Sequence, residues 1–254
     1  PLDRDVARLP DKEKIADVKE GLGSRDNLRF IRYWWEVKVE DIMEEKRMSK
    51  YKKWAPFAKG SRSFFKDITL VVNWKNNGEE IKGYRDSRGR QLSRPQNESF
   101  YFCEGASWQC IVTNDKLSLS LLPNNIIFGD QARTIFTNSK NKLKTIIAYG
   151  NSRLASALFY LIDPLAHHRS VGCMALLPVL DLVNDSLLKK TEEAYDCLRE
   201  WETGNEPSTQ FIAPWILQVW RGFSPSLKPA SGHPLACDFT WSDWPAAKEA
   251  RGEG

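Results

Sequence analysis

No stretch of this 254-residue chain approaches the run of about 18 apolar residues that a membrane-spanning helix needs. The first residues, Pro1-Leu2-Asp3-Arg4-Asp5, lack the apolar centre of a secretory signal. Position 1 is not Met, as expected of a processed chain or a piece cut from a longer one. Cysteine is scarce. The five residues at 103, 110, 173, 197 and 237 are odd in number and form no Cys-x-x-Cys pair. That argues against a disulfide framework or a zinc site and fits a reducing cytoplasm. Of the three histidines, His167 and His168 are adjacent. Neighbours on a strand point to opposite faces, so the pair is a poor chelate for one metal. The Gly-x-x-x-x-Gly-Lys-Ser phosphate loop and the Gly-x-Ser-x-Gly nucleophile elbow are both missing, and no Asp…Glu-x-Lys nuclease arrangement stands out.

What is present is a chain that can bury a sizeable core, with 41% hydrophobic residues and a mean hydropathy of −0.49. A soluble globular protein is expected. Net charge is only +4, but it is unevenly spread. Residues 25–94 hold 18 Lys+Arg against 10 Asp+Glu, a local +8. Residues 181–254 hold 7 against 12, a local −5. A phosphate backbone attracts the first region and repels the second. A solvated basic surface explains the same numbers, so charge alone does not decide.

The pattern along the chain is mixed. Residues 29–37 are aromatic-rich and read as a strand. Residues 40–53 are highly charged and read as a short helix or a solvated loop. Ile68 to Trp74 reads as a buried β-branched strand. Asn76-Asn77-Gly78 is a turn signal. Residues 82–97 read as an exposed loop carrying Gly83, Gly89 and Pro95. Phe100–Phe102, Cys110–Thr113, Leu117–Leu121 and Ile126–Phe128 read as short strands joined by polar turns. Lys142 to Leu161 has helical spacing, interrupted near Gly150, with an N-cap at Asn151 or Ser152. Leu180, Val183, Leu187, Leu188, Ala194, Tyr195 and Leu198 trace an apolar stripe through a helix expected over about 179–201. Residues 204–254 become rich in proline, glycine and tryptophan without a steady period. The fold class expected is α+β, with a mixed, largely antiparallel sheet. The divisions expected are a recognition domain over 1–178, a spacer helix over 179–203 and an irregular aromatic tail over 204–254.

Arg85, Arg88, Arg90 and Arg94 punctuate the glycine-containing loop. The planar guanidinium fork can bridge phosphate oxygens or the O6 and N7 of guanine. An exposed hairpin charged only for solubility is the competing reading. Lys59-Gly60-Ser61-Arg62-Ser63 has the composition of a phosphate clamp, since small residues let backbone N–H groups approach an anion. Trp108 could stack on a base, although a tryptophan on a strand is more often core. The DNA-facing candidates are therefore Lys59, Arg62, Arg85, Arg88, Arg90, Arg94, Asn97 and Trp108.

Several segments in one order carry a resemblance to a family. They are Gly21 to Val37, Trp54 to Gly60, Val71 to Ile81, and above all Arg94-Pro95-Gln96-Asn97 leading through Phe100-Tyr101-Phe102 to Gly105-Ala106-Ser107-Trp108. Ala148 to Arg153 and Ser170 to Val179 follow. Together, over most of residues 20–181, they resemble the target-recognition domain of PglX-type adenine-specific DNA methyltransferases from bacterial phage-exclusion (BREX) systems, and of related single-chain restriction–modification enzymes. Cys103, Ala106 and Cys173 depart from that pattern, standing where lysine, isoleucine and aspartate are more usual.

The resemblance implies sequence-specific recognition of double-stranded DNA. It also implies S-adenosylmethionine on a separate catalytic domain, because neither an Asn/Asp-Pro-Pro-Tyr/Phe motif nor a Gly-rich methyl-donor motif occurs here. The chain itself is thus expected to hold no cofactor and no metal and to be non-catalytic. Its partners would be DNA and the methyltransferase domain or other phage-defence proteins, in the cytoplasm and away from any membrane. Two rivals remain: an enzyme with a disguised active site, and a protein-interaction or anti-restriction module on the same fold.

Overall fold

The computed structural model describes residues 16–112, 116–164, 168–178 and 184–220, with side chains as far as residue 218. One sheet consists of β1 (Asp17–Lys19), β5 (Gly105–Gln109), β6 (Leu119–Leu122) and β8 (Ala132–Phe136), in the order β1-β8-β5-β6 with every pair antiparallel. A second consists of β2 (Ile31–Tyr33), β3 (Trp54–Ala58), β4 (Leu70–Asn73) and β7 (Ile127–Phe128), in the order β2-β4-β3-β7. Its β3–β7 pair is parallel and the others are antiparallel. The helices are α1 (Asn27–Phe30), α2 (Lys75–Lys82), α3 (Lys140–Gly150), α4 (Arg153–Ile162), α5 (Val171–Ala175), α6 (Asp185–Glu202) and α7 (Trp215–Trp220). This is the α+β class expected, with a mixed, largely antiparallel arrangement.

The two sheets are stitched by backbone. Phe64 donates to the Leu119 carbonyl at 2.7 Å and accepts from Leu121 at 3.0 Å, so the segment after β3 runs onto β6. One core packs Trp108, Leu119, Leu121 and Ile135 against Leu143, Ile146 and Ile147 of α3, Phe159 of α4 and Tyr195 of α6. Another gathers Phe57, Val72, Trp74, Tyr101, Phe128 and Phe136. Strands β3, β6 and β8 are buried at every position. A strand covered on both faces gains nothing from alternation, which is why these segments show no period of two.

Several expected elements shift. The strand expected over 29–37 shrinks to three residues. Asp26 accepts from the Arg29 N–H at 3.0 Å and starts a helical turn before it, and a 3-10 turn over Trp34–Glu36 ends it. Phe100–Phe102 is not a strand but follows a 3-10 turn over Glu98–Phe100, and the strand begins at Gly105. Cys110 lies just past β5, and Thr113 lies outside the described residues. Strands β3 and β8 were not anticipated, because Pro56 and Arg133 interrupt their apolar runs. Asn76-Asn77-Gly78 does turn: all three have left-handed backbone (φ 52, 59 and 76°) before α2 becomes regular.

The apolar interruption near Gly150 is a real break, with Ser152 capping α4 by accepting from the Ala155 N–H at 3.0 Å. The long C-terminal helix begins at Asp185 under an Asn184 cap, and residues 179–183 lie outside the described residues. Its apolar stripe meets α3, with Lys144 paired to Glu192 across the contact and Tyr195 edge-on to Phe65. The chain beyond α6 stays on the body. Asp67 accepts from both the hydroxyl and the N–H of Thr209, and Trp215 donates its indole N–H to the Trp201 carbonyl at 3.1 Å. Residues 221–254 are outside the described residues.

Trp108 has no exposed surface, and its indole N–H donates to the Arg169 carbonyl at 3.2 Å. Trp108→Ala should therefore cost about 3–5 kcal/mol of folding stability. Urea denaturation of the two proteins measures this directly, and an unchanged midpoint would contradict the assignment.

Candidate nucleic-acid interface

The parallel pairing of β3 with β7 decides where the site lies. Side-by-side strands running the same way release their following residues at the same end. Lys59 and Gly129-Asp130 therefore leave the sheet together, joined by the Gly129 N–H bonding the Ala58 carbonyl at 2.9 Å. The segment after β1 closes on them. Leu22 donates to Phe128 at 2.9 Å and accepts from Asp130 at 3.1 Å. Gly23 and Arg94 then exchange two backbone hydrogen bonds, at 3.0 and 2.7 Å. Four segments distant in sequence thus meet at one edge.

From that edge rises a hairpin. Leu92 bonds Tyr84, Asp86 bonds Arg90, and Gly89 bonds Asp86, all through the backbone at 2.9–3.0 Å. Gly89 sits at φ +76° with open space around it, so the tight tip needs the freedom of glycine there. Asp86 organises the tip. Its carboxylate accepts the N–H groups of Arg88 and Arg90, both at 2.9 Å, and the Arg90 Nε at 2.8 Å. These bonds hold the Asp86 carboxyl below its ordinary range, the Arg90 backbone bond contributing most. Arg85 folds back to the Gly89 carbonyl at 3.2 Å. Among the described residues, the exposed Arg88 guanidinium meets no acceptor. At its base the hairpin is anchored by the buried Ser93, whose hydroxyl donates to the Ile81 carbonyl, and by Tyr84 edge-on to Phe30 at 5.2 Å.

Arg94 and Asn97 serve a different purpose. Glu20 binds the buried Arg133 through Nη2 at 2.9 Å, and the Arg94 guanidinium stands 4.0 Å from the same carboxylate. The Asn97 side-chain amide donates to the Glu20 carbonyl at 2.9 Å. The Arg94-to-Asn97 turn therefore fastens the end of β1. Arg133 also donates from Nη1 to the Arg169 carbonyl at 2.8 Å, linking this network to Trp108 through the same acceptor.

Two expectations need correction. Trp108 cannot offer its ring to DNA, since it has no exposed surface within the core that β5 shares with α3 and α4, and its N–H is already bonded. The segment from Lys59 to Ser63 is not an open anion cradle. The Ser61 N–H bonds the Gln109 side-chain oxygen at 3.0 Å, and its hydroxyl bonds the Ser107 carbonyl at 2.7 Å. Gly60, at φ +84°, allows that approach, because a Cβ there would lie 2.1 Å from the Gln109 oxygen. Lys59 remains at the β3–β7 edge, whereas Arg62 turns to Glu202 of α6 at 3.8 Å. His168 contacts Cys110 Sγ at 3.2 Å, and His167 lies outside the described residues. Among the described residues no group of three or more His, Cys, Asp or Glu converges as for a metal.

Glu20, Asp130 and Arg133 were missed in the sequence. Arg133 had a usable signal: a lone charge inside a strand of apolar residues implies a buried partner. Nothing in the sequence singled out Asp130, which lies just past β7. Burial, reinforced by the nearby Glu20, pushes the Asp130 carboxyl up, and Lys59 opposes this.

No protein-family model matches the chain. It is similar to the adenine-specific methyltransferase PglX of Lacticaseibacillus casei (strain Zhang), with 28% identity over 211 residues. That alignment takes in 81% of this chain and 17% of the relative, so the chain spans about a sixth of that protein's length.

The Asp86 knot has a pH signature. Its folded carboxyl is depressed, so its contribution to loop order is complete above the unfolded value and is lost as pH falls through the lower folded value. The amide resonances of Arg88 and Arg90 should accordingly hold their positions through the ordinary Asp range and move only below it. Asp86→Ala should collapse that dispersion at neutral pH without lowering the global melting temperature. Unaltered amide shifts in the mutant would mean that Asp86 does not organise the tip.

Proposed function

We propose that this chain reads DNA as the target-recognition part of an N6-adenine methyltransferase in a phage-defence or restriction–modification system. The hairpin tip carries the reading. A two-stranded ribbon fits the major groove, and Arg88 stands at its end with its fork unengaged, while Arg85 and Arg90 are held by the hairpin itself. Lys59 stands at the base of the ribbon, where a phosphate would pass. The similarity to the PglX methyltransferase and the order of the shared segments support the same reading. Catalysis and S-adenosylmethionine would belong to another part of a longer polypeptide or to a partner, in the cytoplasm.

The division of labour makes distinct mutational outcomes. Arg88, if it takes guanine O6 and N7, should relax preference at one base pair at a cost of about 1–3 kcal/mol when changed to Ala. Lys59→Ala should weaken all sequences about equally, as loss of a phosphate contact does. If about four to six phosphates are neutralised, log affinity should fall with log salt at a slope of about −4 to −5. Fluorescence anisotropy across a salt series and a panel of duplexes reads all three. A flat salt response, or an Arg88→Ala variant that binds every duplex as the parent does, would favour a protein-binding module instead.

A further inference from the structure

A carboxylate in the middle of a surface meant for phosphates is a liability unless it has a donor to meet. Asp130 is such a group. Its strand partner places it beside Lys59, and its backbone bonds Leu22. A Cβ added at Gly23 would lie 3.3 Å from Asp130 Oδ2 and 3.5 Å from Arg94 Cβ, so the carboxylate and Arg94 flank the same glycine. The two nearby arginines are occupied elsewhere. Arg133 is committed to Glu20 at 2.9 Å, and Arg94 lies nearer Glu20 than ion-pair range of Asp130. Among the described residues no cation pairs with Asp130. The charges of Lys59 and Arg133 and a hydrogen bond from the Gln131 backbone N–H favour its ionised form, while burial and Glu20 oppose it.

We propose that Asp130 is a specificity-determining residue, which accepts a hydrogen bond from the N4 amino group of a cytosine in the major groove. The inference rests on the reading of this surface as a DNA interface. Carboxylates are the side chains suited to that amino group, because they present acceptors alone. The geometry supplies the rest. Lys59 lies beside Asp130 and offsets the repulsion that phosphates would impose, and the glycine at position 23 puts no side chain against the carboxylate. Half-burial also suits the role, because a group partly removed from water discriminates more sharply between a donor and its absence.

The test selects preferred sequences for the full 254-residue chain from short duplexes randomised over their central base pairs. Asp130→Asn and Asp130→Ser are then measured against the preferred duplex and its single-pair variants, with thermal melting of each protein alongside. The expected result is loss of preference at one G·C pair by about tenfold or more, with preferences elsewhere intact. Binding to non-preferred duplexes should strengthen, because a negative charge has left the phosphate-facing surface. If both variants gain affinity for every duplex equally and keep all preferences, Asp130 is a bystander and the inference fails while the DNA reading stands. If the parent chain binds no duplex at any salt concentration, the inference falls together with the reading beneath it.

Discussion

The Glu20–Arg133 ion pair is the contact on which the remainder of the surface depends. Arg133 is the one charged residue of the fully buried strand β8, and burying a guanidinium is tolerable only when its donors are met. Glu20 meets Nη2 from the end of β1 and the Arg169 carbonyl meets Nη1 from beneath, while among the described residues Nε has no acceptor. Because Glu20 is held there, the chain after it runs past β7 to Gly23, and Gly23 can pair with Arg94. The hairpin then leaves from a fixed base. Removing one partner of such a pair typically costs about 3–5 kcal/mol, since the other is left charged and buried. Here the loss would also free the segment that presents Lys59, Asp130 and the arginine tip together.

Two kinds of charged residue emerge from this. Arg133, Arg94, Asn97 and Arg62 are occupied by the protein, with Glu20 and Glu202 as their counterparts. Arg88 is exposed and Lys59 partly so, and among the described residues no cation pairs with Asp130. The first group sets the shape, and under the proposed reading the second would meet DNA. A local excess of positive charge in the sequence counts both groups alike, so it overstates how many cations a phosphate backbone could engage. The basic run over residues 25–94 also spends several members internally: Arg29 on Glu80, Lys52 on Glu44, and Lys82 on Glu98.

Legibility in the sequence followed the range of the interactions. The Ser152 cap, the Asn76-to-Gly78 turn and the long amphipathic helix were readable because each is made by neighbours a few residues apart. The arginine hairpin was readable as an exposed loop for the same reason, since Asp86 and its partners lie within four residues. Strands β3 and β8 were not, because their identity comes from burial on both faces by distant segments, and Pro56 and Arg133 disguise it. Asp130 was invisible for a related reason. Nothing near it in sequence marks it, and only the parallel β3–β7 pairing brings it beside Lys59. Trp108 illustrates the converse: its type fits base stacking, but the helix that covers it lies more than thirty residues downstream of β5.

The central claim is that one edge of the fold, built by the convergence of four segments, meets DNA. Mapping amide chemical-shift changes on the full chain during titration with a short duplex tests it most directly. The account predicts changes concentrated at the hairpin from Arg85 to Gln91, at Leu22 to Ser24, at Lys59 and at Gly129 to Gln131, with α4 and α6 undisturbed. Changes centred on α6, or an unperturbed hairpin in a chain that still binds the duplex, would contradict it.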